Sequence, residues 1–386
     1  MIEPRGRIAF ALYKYFPYGG VQRDALRIAE QCRARGYDVE FFAIHWDGDR
    51  PDGIPVHLTR DRGISNHGRY AAFSRQFQRT LREENFSAAI GFNKMPGLDL
   101  YFAADGCFIT RARKRSRFYR FTPRYRHFAA FEQAVFEPAG STAILVLVRR
   151  EMQRYQAVYG TPDERFHLLP PGVIEDRKAP ADRDLVRAGL RAEFGIRDDQ
   201  LLVLMVGSGF RTKGLDRALR GIASLPGDLK ERTRFIVIGR DHAEPYWLLA
   251  RRLGIRRQID ILPGRDDIPR FLQGADLLIH PAYYENSGMV LLESLVAGLP
   301  VLTTDACGYA PYIEESGAGK VLPEPFDQQR LNQWLADMLN DTQQQALWSQ
   351  AGIAFGRTRD LFGLHARAAD VIDRVVQTKL AAGRVQ

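Results

Sequence analysis

The amino-acid sequence predicts an α/β protein with two doubly wound, Rossmann-like domains, each built around a parallel sheet. Short apolar runs alternate with amphipathic helical segments from residue 8 onward and again from residue 201 onward. This alternation is typical of parallel sheets covered by helices. Between the two series stands Pro170-Pro171-Gly172, which predicts a break in regular structure. At roughly 150 residues per domain, a chain of 386 residues also favours two or three domains.

The first series opens with a βαβ unit. Residues 8–12 and 39–44 are apolar runs typical of buried parallel strands. Between them, residues 21–35 carry apolar side chains at intervals of three and four, which predicts an amphipathic helix. Gly36 stands where helices commonly end on glycine. The N-terminal domain is predicted to span residues 1–172.

The remaining elements continue the alternation. The predicted strands are 88–92, 101–104, 144–148, 201–206, 234–238, 259–262, 277–280 and 301–303. The predicted helices are 69–83, 215–224, 246–253, 268–273, 288–297 and 344–377. Residues 173–360 are predicted as the C-terminal domain, and residues 361–386 as a helix that returns to the first domain. Two such domains predict a cleft between the carboxyl ends of their strands, the usual ligand site of these sheets.

The composition is ordinary except for its charge. A hydrophobic fraction of 45% and a charged fraction of 26% are typical of globular proteins and exclude a disordered or fibrous chain. Lys and Arg number 55 against 46 Asp and Glu, which gives a net charge of +9. A basic excess favours a negatively charged partner: phosphate, nucleic acid or a membrane surface.

Several features are expected to be absent. No apolar run approaches the roughly 20 residues of a membrane-spanning helix. The first 16 residues lack a small-residue cleavage site, so no signal peptide is expected. Cys32, Cys107 and Cys307 lie far apart and are odd in number, which favours a reducing, cytoplasmic environment over a disulfide framework.

Two glycine-containing loops precede helices. Gly19-Gly20 follows the first strand, and glycines there allow a ligand phosphate to approach the backbone. A turn that requires positive φ explains the same pair equally well. In the second domain, Gly207-Ser208-Gly209 is followed by Arg211 and Lys213, which suits a diphosphate. The alternative is a solvated basic loop.

Two glutamates eight residues apart form the most informative motif. Glu285 lies just before a predicted helix, and Glu293 lies within it among apolar residues. A carboxylate in an apolar helix is costly to bury without a partner. Carboxylates accept hydrogen bonds from sugar hydroxyls, and the N–H groups of residues 288–290 can donate hydrogen bonds to an anion. The pair therefore fits a nucleotide sugar. The alternative is a capping Ser287 with one Glu paired to a buried Arg.

These residues carry a resemblance to a known family. Glu285 and Glu293 match the EX7E pattern of retaining glycosyltransferases with the GT-B fold, particularly family 4. Further segments resemble the lipopolysaccharide core glucosyltransferase I enzymes of that family, over nearly the whole chain. These segments are 11–17 (ALYKYFP), 19–24 (GGVQRD), 91–99 (GFNKMPGLD), 124–127 (RYRH), 169–172 (LPPG) and 306–310 (ACGYA).

The resemblance implies roles for donor-binding residues. Glu285 would hold the hydroxyls of the donor hexose, helped by the N–H groups at Gly288, Met289 and Val290. Glu293 would hold the ribose, and Lys213 would neutralise the leaving diphosphate. Further donor contacts are implied for Gly19, Gly20, Arg177 and Arg265.

The resemblance also implies a catalytic centre and one departure from the family. Asp105 stands at a catalytic position that many relatives fill with His, and Lys213 and Glu285 are the other implied catalytic residues. The family has Arg directly before its Lys, where this chain has Thr212, so Arg211 would have to substitute. Lys and Arg would stabilise the diphosphate without a metal or any other cofactor. The general base stays open between Asp105, His127 and His280.

Much of the basic excess lies between residues 106 and 131. This segment contains no acidic residue. The basic residues are Arg111, Arg113, Lys114, Arg115, Arg117, Arg120, Arg124 and Arg126. The aromatic side chains Phe118, Phe121, Tyr125 and Phe128 are spaced as on one helix face, and Pro123 is predicted to split the segment. The pattern predicts contact with an anionic membrane through Arg113, Arg117, Phe118, Arg120, Phe121 and Arg124. The alternative is a helix that packs its aromatics inward below a solvated basic face.

Together with the charge pattern, the resemblance implies a cytoplasmic, peripheral-membrane enzyme that transfers glucose from UDP-glucose to a heptose of the lipopolysaccharide inner core, with retention of configuration. One alternative is another nucleotide-hexose transferase that acts on a different surface glycan. A second is a non-catalytic, membrane-bound protein that binds a nucleotide sugar. Nucleic acid is not an expected partner, because no recognised binding motif accompanies the charge.

Overall fold

The computed structural model describes residues 5–17, 19–59, 63–113 and 115–383, with side chains described as far as residue 381. The chain divides into two compact units. Unit 1 comprises Met1–Pro170 and Gly363–Gln386, and unit 2 comprises Pro171–Phe362. The first crossing between units falls at Pro170–Pro171, two residues before the end predicted for the N-terminal domain.

Unit 1 contains a seven-stranded parallel sheet, confirming the predicted class. Its strands in chain order are β1 (Arg7–Ala11), β2 (Lys14–Tyr15), β3 (Asp38–Ala43), β4 (His45–Trp46), β5 (Val56–Leu58), β6 (Ala88–Gly91), β7 (Leu100–Ala103), β8 (Ala143–Val146) and β9 (Phe166–Leu168). Its helices before the crossing are α1 (Gly20–Ala34), α2 (Asn66–Glu83), α3 (Phe108–Ala112), α4 (Pro123–Phe136) and α5 (Arg149–Tyr159). The sheet order is β5-β3-β1-β6-β7-β8-β9, and β2 pairs separately with β4.

Unit 2 contains a six-stranded parallel sheet. Its strands are β10 (Leu201–Val206), β11 (Thr233–Ile238), β12 (Ile259–Leu262), β13 (Leu277–His280), β14 (Val301–Thr304) and β15 (Gly319–Leu322). Its helices are α6 (Arg183–Glu193), α7 (Phe210–Lys213), α8 (Leu215–Ala223), α9 (Gly227–Arg232), α10 (Glu244–Arg252), α11 (Ile268–Gly274), α12 (Met289–Ala297), α13 (Ala310–Ser316), α14 (Gln328–Asn340) and α15 (Thr342–Thr358). The sheet order is β12-β11-β10-β13-β14-β15.

The last helix, α16 (Leu364–Gly383), belongs to unit 1. It packs on α1, and Leu364, Ala368, Ile372 and Val376 join the apolar core on that face of the sheet. The predicted single segment at 344–377 is therefore wrong. It is two helices, α15 in unit 2 and α16 in unit 1, separated by residues 359–363.

Each sheet has one point at which the strand order reverses. In unit 1 the chain runs from β1 outward through β3 to β5 and then returns to the other side of β1 as β6. In unit 2 it runs from β10 through β11 to β12 and returns beside β10 as β13. The carboxyl ends of two strands that flank such a reversal leave a crevice, because their connections leave in opposite directions. Both candidate sites below lie at these reversals.

Most predicted strands and helices are confirmed to within a few residues, but five strands, β2, β4, β5, β9 and β15, were not predicted. β5 lies at an edge of the sheet with His57 and Leu58 exposed, so it lacks a buried apolar run. β15 begins with Gly319 and Lys320, residues that are typical of loops. In the described parts of the chain, no helix is both long and apolar enough to cross a bilayer.

Candidate functional site

The loop after β10 presents Lys213 at the strand reversal of unit 2. Gly209 (φ 79°) and Gly214 (φ 78°) bracket the single turn of α7 in a left-handed conformation that other residues adopt only with strain. A Cβ atom at Gly214 would collide with the carbonyl oxygen of Pro281. The N–H of Tyr283 donates to the carbonyl of Thr212 at 2.9 Å. Glycine thus lets the loops after β10 and β13 pack directly against each other.

Lys213 and Glu285 meet across these two loops. The Lys213 ammonium forms an ion pair with Glu285 Oε2, and both side chains are largely buried. Burial lowers the pKa of Lys213 to about 8. The backbone at Glu285 is fixed as well, since its N–H donates to Ala306 (3.2 Å) and its carbonyl accepts from Gly308 (3.2 Å). The cation and the carboxylate predicted for a nucleotide sugar therefore lie side by side.

His280 is buried beneath this pair at the end of β13. Its Nε2 lies 3.7 Å from Glu285 Oε2. Burial and the nearby Lys213 charge hold the pKa of His280 well below its usual range, so the ring is neutral. Within the described parts of the chain, neither ring nitrogen has a hydrogen-bond partner. Sequence reasoning listed His280 only among possible bases, because an isolated His is more often structural.

Glu293 forms a second buried pair with Arg177. Arg177 Nε lies 3.4 Å from Glu293 Oε1, and both side chains are less than a tenth exposed. Pairing of one glutamate with a buried arginine is the arrangement given above as the alternative for this motif. The other half of that alternative is wrong, because Gly288 (φ 84°) precedes α12 and no side chain caps the helix. Arg177 and Glu293, both predicted at the nucleotide, are close together.

Arg211 and Arg265 have different surroundings. Arg211 lies exposed on α7. Arg265, in the loop after β12, donates to both carboxylate oxygens of Asp267 at 2.7 and 2.8 Å. That pairing raises the pKa of Arg265 and lowers the pKa of Asp267.

Gly19 and Gly20 lie between β1 and α1 in unit 1. Gly19 precedes α1 with φ −81°, and neither glycine has positive φ. A turn that requires positive φ therefore does not explain the pair. A Cβ atom at Gly20 would meet nothing within 4 Å, whereas one at Gly19 would collide with the side chain of Gln22.

A cavity of about 380 Å³ lies at the strand reversal of unit 1. We call it the Asp105 cavity. Residues from the loops after β1, β6 and β7 contribute to its lining, among them Tyr13, Asn93, Lys94 and Asp105. The Tyr13 ring stacks on Tyr70 with centroids 3.9 Å apart. The Tyr13 N–H donates to Asn93 Oδ1 at 2.8 Å, which ties the loop after β1 to the loop after β6.

A fully buried carboxylate, Glu132 on α4, supports the wall of this cavity. It accepts hydrogen bonds from Lys94 Nζ (2.6 Å), the N–H groups of Phe108 (2.7 Å) and Ile109 (3.1 Å), and Tyr159 Oη (2.9 Å). Although burial favours the neutral acid, Lys94 and these N–H groups hold the pKa of Glu132 below its usual range. No sequence signal singled out Glu132, because its donors come from three separate parts of the chain.

Comparison with known proteins identifies the family. Residues 186–355 match the family model for glycosyl transferases group 1, and residues 18–177 match that for Glycosyltransferase Family 4. The chain is 43% identical over 366 residues to the lipopolysaccharide glucosyltransferase WaaG of Escherichia coli (strain K12), covering 95% of this chain and 98% of that protein. This chain belongs to the family 4 glycosyltransferases.

Solved structures agree with this assignment. The crystal structure of WaaG, a glycosyltransferase involved in lipopolysaccharide biosynthesis, superimposes with a TM-score of 0.91 at 42% identity, covering 95% of this chain and 99% of that one. Anabaena Alr3699/HepE, in complex with UDP and glucose, superimposes with a TM-score of 0.75 at 17% identity, covering 96% of this chain and 100% of that one. The second match concerns the fold alone. The glycosyltransferase therefore has the predicted GT-B fold.

The basic segment of the glycosyltransferase differs from the prediction. Residues Arg117–Phe121 form a 3₁₀ turn, and Thr122 caps α4 at Pro123, so the predicted break is confirmed. The single face predicted for four aromatic residues is wrong. Phe118 and Phe121 are 81% and 71% exposed, whereas Tyr125 and Phe128 lie against Phe108 with centroids 5.7 and 5.6 Å apart.

The arginines of this segment also separate into two groups. Arg113, Arg117 and Arg120 are exposed, and Lys114 lies outside the described residues. Arg124, predicted with them as a membrane contact, is exposed as well, and it also lines the Asp105 cavity together with Arg111 and Arg115. The break at Thr122 places Arg117 and Arg120 on the 3₁₀ turn and Arg124 on α4.

Another candidate base is His127 on α4, whose Nε2 has no hydrogen-bond partner among the residues that the structure describes. Its ring centroid lies 4.0 Å from that of Phe131. Burial, together with the nearby His67, lowers the pKa of His127 to about 4. Asp105 is the exposed candidate, with its side chain in the cavity and its carbonyl held by Tyr155 Oη at 2.7 Å.

Proposed function

We propose that this glycosyltransferase moves glucose from UDP-glucose to a heptose of the lipopolysaccharide inner core, with retention of configuration and without a metal. The observation that carries the proposal is the similarity to a lipopolysaccharide glucosyltransferase, at 43% identity over 95% of the chain. The Lys213–Glu285 pair at the strand reversal of unit 2 supplies the chemistry that such a donor requires.

The main catalytic requirement is to stabilise the leaving group. Glycosyl transfer develops negative charge on the departing diphosphate and positive charge on the sugar, and fixed charges that meet them are usually the largest catalytic term. Lys213 would exchange its Glu285 partner for the diphosphate. The first N–H groups of α12, at Met289 and Val290, have no partners within the helix and favour the same negative charge.

Glu285 is then free to accept hydroxyl groups of the donor hexose. His280 beneath it stays neutral, so it neither adds positive charge next to Lys213 nor competes for Glu285 as an ion pair. Glu293 would accept the ribose hydroxyls while Arg177 balances its charge. In a retaining transfer on one face of the sugar, the departing phosphate oxygen takes the acceptor's proton, so no protein nucleophile is required.

The test is a transfer assay with radiolabelled donors. Purified protein should move label from UDP-glucose, and not from UDP-galactose, onto a heptose-terminated inner-core acceptor, and the product linkage should have the donor's anomeric configuration. Transfer only from another donor, or only to another glycan, would refute this assignment in favour of a different hexosyltransferase.

A variant separates catalysis from simple binding. Glu285→Ala should abolish turnover while the protein stays folded by circular dichroism. The matched control is Glu231→Ala, which removes an exposed carboxylate from α9 of the same unit. Unchanged turnover in Glu285→Ala would contradict the role given to this residue. Absence of turnover in the unaltered protein with all donors would favour a non-catalytic binding protein.

We further propose that the enzyme works at the cytoplasmic face of the membrane, with Phe118 and Phe121 as apolar contacts flanked by Arg113, Arg117 and Arg120. Exposed aromatic and basic side chains together favour an anionic bilayer surface. The variant Arg113→Gln/Arg117→Gln/Arg120→Gln should lose sedimentation with phosphatidylglycerol vesicles and keep turnover on a soluble acceptor.

The control for this experiment changes the same charge elsewhere. Arg75, Arg79 and Arg82 are three exposed arginines on α2. Their replacement by Gln should leave vesicle binding nearly intact. Equal loss in both triple variants would show that net charge alone, rather than this segment, determines attachment.

A further inference from the structure

The lining of the Asp105 cavity is rich in positive charge, and the catalytic role predicted for Asp105 does not account for that charge. Four basic side chains line it, namely Lys94, Arg111, Arg115 and Arg124, against the one carboxylate of Asp105. Lys94 is neutralised at 2.6 Å by the buried Glu132. The remaining charge of the lining is therefore supplied by the arginines, at the strand reversal where doubly wound sheets bind ligands.

Two of these arginines are held by aromatic rings. The guanidinium carbon of Arg115 lies 4.8 Å from the Tyr119 ring centroid, and that of Arg124 lies 5.5 Å from the Phe128 centroid. In the parts of the chain that the structure describes, neither forms an ion pair with a carboxylate. A ring positions a guanidinium without neutralising it, so its N–H groups keep their capacity for an anion.

The rest of the lining suits a sugar. Tyr13 and Tyr70 provide aromatic surface, and Asn93 and Asp105 provide an amide and a carboxylate for hydroxyl groups. A volume of about 380 Å³ lies at the small end of ordinary ligand sites, which span roughly 300–1,000 Å³. A cavity of this volume holds a small ligand.

We propose that this cavity binds a sugar unit of the acceptor that carries an anionic substituent, a phosphate or a carboxylate, with Arg115 and Arg124 as its charged partners. The inference rests on the proposed function and specifies the chemical class of its acceptor. Asp105 would meet a hydroxyl of the same unit, and the anionic substituent would point away from it toward the arginines.

The experiment is a binding titration of the full chain without lipid or nucleotide. The probes are mannose 6-phosphate, mannose and inorganic phosphate, followed by calorimetry. Mannose 6-phosphate should bind more tightly than either of the others. Arg115→Gln and Arg124→Gln should each weaken it about tenfold, because each removes a charge-assisted hydrogen bond to the anionic group. The Lys213→Ala variant, used as background, removes phosphate binding in unit 2.

The matched control is Arg126→Gln, two residues from Arg124 on the same helix and exposed outside the cavity lining. It should leave the affinity unchanged. Equal weakening by Arg126→Gln, or equal affinity for mannose and mannose 6-phosphate, would overturn the proposal. So would inorganic phosphate binding as tightly as the sugar phosphate.

A lipid headgroup is the competing source of a phosphate. Phosphatidylglycerol vesicles that displace mannose 6-phosphate from the cavity would assign the arginines to lipid and overturn the proposal, whereas undisturbed binding supports it. Because the titration involves no glycosyl transfer, the two proposals fail separately. Glucosyl transfer with no sugar-phosphate binding refutes only the cavity's role, and binding with no transfer refutes only the proposed reaction.

Discussion

The two candidate sites differ in how the charges of their basic side chains are balanced. In unit 2, Lys213 is paired with Glu285, and Arg177 with Glu293, within the protein itself. In unit 1, Arg115 and Arg124 lie over aromatic rings, and a ligand would supply their countercharge. Under the proposed function, a nucleotide in unit 2 would exchange one anion for another at Lys213, which would favour reversible binding and release. A ligand in unit 1 meets cations that are already uncompensated, which favours selection by charge.

The largest expected effect is a loss of stability in Glu132→Ala. This variant tests whether the wall of the Asp105 cavity depends on one buried carboxylate. Glu132→Ala leaves the Lys94 ammonium and two N–H groups without their acceptor. Breaking a buried charge pair in this way typically costs about 3–5 kcal/mol. We expect a loss of this size in the free energy of unfolding, measured in urea. Glu137→Ala, at the exposed residue directly after the same helix, should change stability by less than about 0.5 kcal/mol. A small loss in Glu132→Ala would show that the wall does not depend on this carboxylate.

The next prediction tests the role of the Lys213–Glu285 ion pair in unit 2. Lys213→Ala removes the cation assigned to the leaving diphosphate, and loss of one such group typically lowers kcat by about 10²–10³-fold. We expect this loss in steady-state assays, with partial recovery in Lys213→Arg. A drop confined to the donor KM, with kcat unchanged, would show that Lys213 binds the donor but does not stabilise the transition state.

The pH dependence of nucleotide binding tests the same residue with a milder change. The pKa of Lys213 lies at about 8, below its ordinary value, because of burial. Its positive charge is complete below that pH and is lost above it. Affinity for UDP should therefore be constant toward pH 7 and fall as pH rises past 8, approaching about tenfold per unit for one proton. Calorimetry between pH 7 and pH 9 measures this. Lys213→Arg stays charged and should remove the decline, and a persisting decline would assign it to another group.

The smallest effect concerns the glycine pair of unit 1. Gly20 starts α1 with negative φ and open space around its Cβ position. Gly20→Ala should therefore raise the free energy of unfolding by about 0.4–1 kcal/mol. If the donor's diphosphate binds close to Gly20, the same variant should raise the KM for UDP-glucose. Higher stability with an unchanged KM would remove Gly20 from the donor site.

The sequence predicted what depends on local pattern. Apolar runs and glycine positions identified β1, α1 and β3, and most of unit 2. The positions of Lys213 and Glu285 were predictable because both follow strands whose carboxyl ends meet. The edge strand β5 and the Gly-Lys start of β15 lacked that pattern. Local spacing also predicted one aromatic face across residues 118–128, which the break at Thr122 interrupts.

Contacts between distant residues were not predictable. The Glu132 network joins a lysine from the loop after β6, the N-terminus of α3 and a tyrosine of α5. The Arg177–Glu293 pair joins residues 116 positions apart. A single sequence shows which of these residues are charged but not which of them meet, because that depends on how the strands are ordered in the sheet.

The membership of α16 in unit 1 has a consequence for synthesis in the cell. Leu364, Ala368, Ile372 and Val376 complete an apolar core whose other residues lie before Pro170. At about 5–20 residues per second, the ribosome needs on the order of 10–40 seconds to make the intervening residues. During that interval one face of the first sheet has α1 but lacks the rest of its cover, while unit 2 is continuous in sequence and can close as it emerges. The half of the enzyme that begins first is therefore the half that finishes folding last.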